Sequence, residues 1–152
     1  MFYFIHVLAG ALIANYFPSL LPIIIISLLF HFILDIIPHK DNLADVKLTG
    51  KSYDKIKLTK KAVLFELADM LIGIILIICI FLKFHSILMM AGIFFSLLPD
   101  MIKIFYLTPF KNNKLFRKYM LFHSKIQLET RWLIGLIAQL IVIIILLFLL
   151  FY

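Results

Sequence analysis

The final stretch of the chain, residues 132–152, is an almost unbroken apolar run, and it restricts the fold more than any other feature. It contains about twenty residues, among which Gln139 is the only strongly polar side chain. A helix of about 20 apolar residues rises roughly 30 Å, which matches the hydrocarbon core of a bilayer. This run therefore predicts a transmembrane helix.

Four further apolar stretches precede it in the chain. Hydrophobic residues make up 64% of the sequence and the mean hydropathy is +1.12, whereas soluble domains are roughly 45–50% apolar. The connections are too short to fold alone, so we predict one integral membrane domain over residues 1–152. Its predicted fold class is all-α, a multi-pass transmembrane helical bundle of about five spans. The predicted spans cover residues 1–17, 20–37, 63–82, 87–106 and 132–152.

Basic residues concentrate in two polar connections, 39–62 and 108–131. Fourteen of the 15 lysine and arginine residues lie in or beside them, and Lys83 is the exception. The positive-inside rule then predicts both connections and the N-terminus on the cytoplasmic face of an inner membrane, with the C-terminus external. The net charge of +7 reports this topology, so direct nucleic-acid binding is not expected.

The second connection also carries apolar residues at helical spacing, with basic residues at other positions. This pattern predicts a short interfacial amphipathic helix. The apolar positions are Leu115, Phe116, Tyr119, Phe122 and Ile126, and the basic ones are Lys114, Arg117, Lys118 and Lys125.

Ionisable residues recur near the cytoplasmic ends of the predicted spans. His31, Asp35 and His39 follow one another at intervals of four, which places the first two on one helix face about 6 Å apart along the axis. Glu66 and Asp69 are three residues apart and share a face of the next span. The first span, the fourth span and the second basic connection contribute one residue each, namely His6, Asp100 and His123.

Carboxylates buried in or near hydrocarbon are costly unless they pair, stay hydrated or bind cations. A divalent metal would meet this need, and imidazole with carboxylate suits zinc first, and also iron, manganese or nickel. The single cysteine, Cys79, excludes a disulfide framework and a cysteine zinc site. The predicted metal ligands are His6, His31, Asp35, His39, Asp100 and His123. The predicted general base or orienting residues are Glu66 and Asp69.

Simpler roles compete with this interpretation. His6 alone fits helix packing, Glu66 fits an ion pair with a nearby lysine, and Asp100 after Pro99 fits a turn or cap.

Several of these residues occur in short elements that resemble a known family, the bacterial inner-membrane metal-dependent hydrolases described as LexA-binding, membrane-associated hydrolases. The matching elements are His6 with Gly10, His31 with Leu34 and Asp35, Leu98 with Pro99 and Asp100, and His123 with Ser124. In that family the His-Ser pair belongs to a longer His-Arg-Gly-x-Thr-His-Ser element. In this chain the residues before His123 are instead Tyr119, Met120, Leu121 and Phe122. The resemblance implies a helical membrane domain with a His/Asp metal site, distantly similar to zinc-dependent phospholipases.

The leading hypothesis is therefore a metal-dependent hydrolase that works at the cytoplasmic face on a phosphoester or lipid headgroup. Its partners would be the lipid bilayer and anionic lipid or a phosphate-containing substrate. One alternative is a proton- or cation-coupled transporter, which would need an oligomer to build its pore. The other is a non-enzymatic membrane protein with a structural metal site.

Overall fold

Six helices are present in the part of the chain that the computed structural model describes, residues 1–39, 60–103, 113–128 and 130–152. In chain order they are α1 (Tyr3–Tyr16), α2 (Leu20–Ile36), α3 (Lys60–Phe84), α4 (Ile87–Lys103), α5 (Lys114–Ile126) and α6 (Trp132–Phe151).

Prolines set the ends of the first two helices. α1 ends at Tyr16, just before Phe17 and Pro18, and α2 ends at Ile36, two residues before Pro38. The residue that precedes a proline is driven out of the helical conformation, so neither helix continues.

Turn and cap residues set the ends of the later helices. His85 has a positive φ of 48°, which is a common way to leave a helix. The Ser86 hydroxyl then accepts a hydrogen bond from the backbone N–H of Met89 at 3.3 Å and caps α4. The Asn113 side chain caps α5 by accepting from the backbone N–H of Leu115 at 2.8 Å.

α1 lies at the centre of the bundle and packs against α2, α3, α4 and α6. Every residue from Ile5 to Ala14 is buried, so the helix has no exposed face along this stretch. Its closest neighbour is α4, because a Cβ built on Gly10 would overlap the backbone carbonyl of Gly92 and lie 2.7 Å from the Cα of Ile93. The two glycines therefore bring the two backbones into direct contact.

The bundle buries a set of polar side chains beside its apolar core. These polar side chains are His6, Ser27, His31, Asp35, His39, Asp69, Ser96, Asp100, His123 and Gln139. Large apolar side chains also cover the outer faces of three helices, with Leu21, Ile25, Leu29 and Ile33 on α2, Leu67, Leu71, Ile74 and Ile78 on α3, and Leu133, Ile137, Ile144 and Phe148 on α6. Such extended exposed apolar faces are unusual for a water-soluble domain.

The all-helical prediction is confirmed for the described residues, but the count of five spans is not supported. Within those residues only two stretches are long and apolar enough to cross a membrane, Val63–Phe84 in α3 and Trp132–Phe151 in α6. α1 has 14 residues, and α2 and α4 have 17 each. At 1.5 Å per residue these helices rise only about 21–26 Å, short of the roughly 30 Å core.

Parts of the predicted basic connections, 40–59 and 104–112, lie outside the described residues, as does the end of the fourth predicted span. The orientation predicted from their lysines stays a prediction. The helix predicted in the second connection is confirmed as α5.

The close approach of α1 and α4 predicts that Gly10→Ala lowers the free energy of unfolding by at least about 2 kcal/mol, since the added Cβ meets backbone that cannot move aside. Gly73→Ala is the matched control, because a Cβ there would make an ordinary 3.8 Å contact with Cγ2 of Val7. Thermal unfolding followed by circular dichroism compares the two variants. Equal midpoints would contradict the packing described here.

Candidate metal centre

Four buried side chains converge at the end of the bundle where α2 and α4 finish. His31 and Asp35 lie one turn apart on α2, Asp100 lies near the end of α4 and His123 lies on α5. Each is at most 3% exposed, and one ligand atom from each lies within 4.8 Å of the other three. Two imidazoles and two carboxylates thus share one small volume.

The separations between these ligand atoms fit a shared metal ion. The Nε2 atoms of His31 and His123 are 3.2 Å apart. Oδ2 of Asp35 lies 3.5 Å and 3.6 Å from these two nitrogens, and Oδ1 of Asp100 lies 3.8 Å and 3.4 Å from them. Atoms bound tetrahedrally to zinc at about 2.0–2.2 Å lie about 3.3–3.6 Å from one another. The imidazole–carboxylate distances exceed the roughly 2.7–3.2 Å of good hydrogen bonds.

His31 is held in the tautomer that a metal ligand needs. Its Nδ1 lies 2.7 Å from the backbone carbonyl oxygen of Ser96, and this contact requires Nδ1 to donate a proton. The carbonyl belongs to the turn of α4 that precedes Pro99. In the neutral ring this leaves the lone pair on Nε2, which faces the two carboxylates, and a carbonyl partner on the other ring nitrogen is typical of histidines that bind metals.

His123 is held by aromatic neighbours and by a link from α5 to α4. Its ring packs edge-on against Phe32 and Tyr119, and the Tyr119 hydroxyl donates a hydrogen bond to the carbonyl of Pro99 at 2.6 Å. Burial raises the pKa of Tyr119, and the carboxylates of Asp100 and Asp35 raise it further, so the hydroxyl keeps the proton that it donates.

The electrostatic surroundings keep His123 neutral. Burial lowers the pKa of His123 to about 4, and the Lys103 ammonium acts in the same direction. The carboxylates of Asp100 and Asp35 oppose this shift without cancelling it. At pH 7 the ring is neutral, which is the form that binds metals.

Lys103 forms an ion pair with one carboxylate of the cluster. Its Nζ lies 2.6 Å from Oδ1 of Asp100, in an i,i+3 pair on α4. This is the same oxygen that faces His31 and His123, so the ammonium and a metal ion would compete for it.

His6 lies beside the four-residue cluster, where it faces the second oxygen of each carboxylate. The His6 ring stacks on His31 with 4.2 Å between the ring centroids. Its Nε2 is 3.6 Å from Oδ1 of Asp35 and 4.0 Å from Oδ2 of Asp100. Neither ring nitrogen has a hydrogen-bond partner, although the residue is fully buried.

His39 is close to Asp35 but is engaged differently. Its Nδ1 donates to the carbonyl of Ile37 at 2.8 Å, and its Nε2 lies 2.7 Å from the amino group of Met1. That amino group also lies 3.2 Å from Oδ1 of Asp35. Pro38, which ends α2, turns His39 away from the stripe formed by His31 and Asp35.

Asp69 and Glu66 are not part of the four-residue set. Both oxygens of Asp69 accept backbone hydrogen bonds from the first turn of α1, from Tyr3 at 2.7 Å and from Phe4 at 3.3 Å. Asp69 therefore supplies the cap that α1 lacks from its own sequence. Glu66 is partly buried on α3, and the catalytic roles predicted for both residues stay predictions.

Four contacts to the site residues were not predicted from the sequence, those of Met1, Ser96, Lys103 and Gln127. Gln127 donates from Nε2 to Oδ2 of Asp35 at 3.4 Å. Lys103 could have been found from its i,i+3 spacing to Asp100, whereas the contacts of Ser96 and Gln127 depend on helix packing that periodicity does not encode.

Comparison with known proteins gives no match to a family model, a curated protein or a solved structure. The resemblance to membrane-associated hydrolases therefore stays a prediction, and the site has to be interpreted from its own geometry.

The capping role of Asp69 predicts that Asp69→Ala lowers the free energy of unfolding by about 1–2 kcal/mol, because two partly buried N–H groups of α1 lose their acceptor. Bound zinc per folded chain should stay unchanged, as measured by elemental analysis. A variant of normal stability that has lost its metal would contradict this role and favour Asp69 as part of the metal centre.

Competition by Lys103 predicts that Lys103→Met tightens Zn²⁺ binding by roughly 5- to 30-fold, corresponding to about 1–2 kcal/mol of relieved repulsion. Lys83→Met is the control, since Lys83 lies over the rings of Phe84 and Phe151 at the other end of the bundle. Competition with a chelating fluorophore measures both affinities. Weaker binding in Lys103→Met would contradict the competition.

Proposed function

We propose that this chain is a membrane-embedded, metal-dependent hydrolase that acts on a phosphoester or lipid headgroup at one end of its helical bundle. The observation that carries the proposal is the cluster of His31, Asp35, Asp100 and His123, with His31 oriented by the Ser96 carbonyl. Its donor set fits a divalent metal, with zinc as the first choice.

Exposure of the two longest apolar stretches supports embedding in a membrane. Only 17% of the best window in Val63–Phe84 and 22% of that in Trp132–Phe151 is buried inside the bundle. Core helices of soluble proteins are mostly buried, so the exposed apolar faces call for a lipid environment. The shorter α1 needs none, because the other helices surround it.

The position of the site supports work on headgroups. His31, Asp35 and Asp100 lie near the ends of α2 and α4, within about one and a half turns of where each helix stops. The adjoining α5 region exposes cations that could hold anionic lipid, each contributing about 1 kcal/mol near a charged surface. These cations are Lys114, Arg117, Lys118, Lys125 and Arg131. By the positive-inside rule this end faces the cytoplasm, with the chain in an inner membrane.

In this proposal His31, Asp35, Asp100 and His123 would hold the metal. A bound divalent metal polarises a phosphoryl or acyl oxygen and lowers the pKa of water. The Ser96 carbonyl keeps His31 in its binding tautomer, and the buried surroundings of His123 keep that ring neutral. Lys103 supplies a positive charge next to the site that can pair with a phosphate oxygen.

A structural metal site is the second candidate, and one observation favours it. Four protein ligands fill a tetrahedral shell, as in structural zinc sites, whereas catalytic sites keep a position open. A structural site would bind metal stoichiometrically without hydrolysing any substrate.

The transporter alternative has less support. A permeation path needs polar groups through the depth of the bundle. In the described core the half away from the metal centre is lined by apolar side chains, among them Ile80, Met89, Ile93, Leu146 and Leu150.

The test begins with metal content. Wild-type protein purified in detergent should retain zinc, iron or manganese, and both His31→Ala and Asp35→Ala should lose it. His85→Asn is the control for histidine removal, because His85 lies in the α3–α4 turn and asparagine tolerates its positive φ.

Hydrolysis is then measured on a chromogenic phosphodiester and on vesicles that contain anionic phospholipid. Metal-dependent turnover should fall at least about 100-fold in His31→Ala and Asp35→Ala, as is common when metal ligands or their partners are removed. Full metal content without turnover on either substrate would favour the structural site. Absence of bound metal after reconstitution would contradict both.

A further inference from the structure

Each carboxylate of the metal centre uses only one of its oxygens in the four-residue set. Oδ2 of Asp35 and Oδ1 of Asp100 face His31 and His123. The remaining oxygens, Oδ1 of Asp35 and Oδ2 of Asp100, both face Nε2 of His6, at 3.6 Å and 4.0 Å. Each carboxylate thus presents one oxygen to His31 and His123 and the other to His6, whose ring stacks on His31.

His6 is a buried polar side chain whose nearest polar neighbours, the two carboxylates, lie beyond hydrogen-bond distance. It is 0% exposed, and no hydrogen bond reaches Nδ1 or Nε2. A buried imidazole without a hydrogen bond is destabilising, so such a group calls for an explanation. A cation at Nε2 would supply the missing interaction, and the stacking on His31 already fixes the ring with Nε2 towards the carboxylates.

We propose that Asp35 and Asp100 bridge two divalent cations, the second of which is held by His6 Nε2, Asp35 Oδ1 and Asp100 Oδ2. This second site rests on the metal centre of the proposed function. The 3.6 Å separation is that of neighbouring ligands around one ion, and the 4.0 Å separation exceeds it by about 0.4 Å, which a small side-chain shift on binding would close. Carboxylates that bridge through both oxygens are typical of two-metal sites, in which the ions are roughly 3.5–4 Å apart.

A second cation would also provide the open coordination positions that the first site, with four protein ligands, lacks. Three protein ligands at the second site leave coordination positions for water and substrate, as catalytic metal sites require. Enzymes with two metals of this kind act on phosphoesters among other substrates. The inference thus narrows the substrate class towards phosphoesters.

Charge makes the second site the weaker one. The amino group of Met1 lies 3.2 Å from Oδ1 of Asp35 and competes for that oxygen. The first cation and the Lys103 ammonium also repel a second positive ion. The two equivalents should therefore bind in sequence, with the second at a higher metal concentration.

The test uses Mn²⁺ as the probe, with equilibrium dialysis and electron paramagnetic resonance on full-length protein in detergent. Wild type should bind two equivalents, and the second should convert the spectrum of an isolated ion into that of a spin-coupled pair. His6→Gln should bind one equivalent with an isolated-ion spectrum. That retained equivalent also reports that the variant is folded.

His6→Glu is the matched variant, because its carboxylate restores a ligand at nearly the same reach. It should bind two equivalents with a coupled spectrum. If His6→Gln fails to fold, the result with His6→Glu decides: one equivalent there overturns the second site.

The outcomes separate this inference from the proposed function. One uncoupled equivalent in wild type and in His6→Gln overturns the second site and leaves a one-metal hydrolase in place. Two coupled equivalents without phosphoester hydrolysis support the second site and contradict the hydrolase. No bound Mn²⁺ in wild type overturns the second site together with the first.

Discussion

Two carboxylates, Asp35 and Asp100, lie inside a bundle whose outer surface is apolar, and most of the site follows from the need to compensate them. An ionised carboxylate buried without partners costs several kcal/mol. Their partners are His31, His123 and His6, whose Nε2 atoms lie within 4.0 Å of carboxylate oxygens, and Lys103 at the helix end. A metal ion bound by these groups would compensate both carboxylate charges at once.

The packing of α1 makes this arrangement possible. Gly10 and Gly92 let the backbones of α1 and α4 touch, which carries His6 to the carboxylate of Asp100. Asp69 on α3 caps the first turn of α1. A residue outside the cluster thus helps to fix the position of His6. The position of His6 at the metal centre therefore depends on the two glycines and on the Asp69 cap.

The sequence was sufficient for the helices and for the residue types of the site, because apolar runs and four-residue spacing reflect local geometry. The predicted bounds of the first two spans lie within two residues of α1 and α2, but helices of 14 and 17 residues are shorter than a membrane span needs, so the count of five spans is not supported. Pro38 interrupts the four-residue spacing before His39, whose Nε2 lies beside the amino group of Met1. The contact of His31 with Ser96 depends on tertiary packing of α2 on α4, which no periodicity in one chain encodes.

The central claim is that two histidines and two aspartates bind one metal ion, and X-ray absorption at the zinc edge tests it most directly. Protein loaded with one equivalent of zinc should show only nitrogen and oxygen ligands at about 2.0–2.2 Å. It should also show outer-shell scattering from two imidazoles, of which His123→Gln loses one. A zinc ion without imidazole scattering, or with scattering unchanged in His123→Gln, would contradict the assignment.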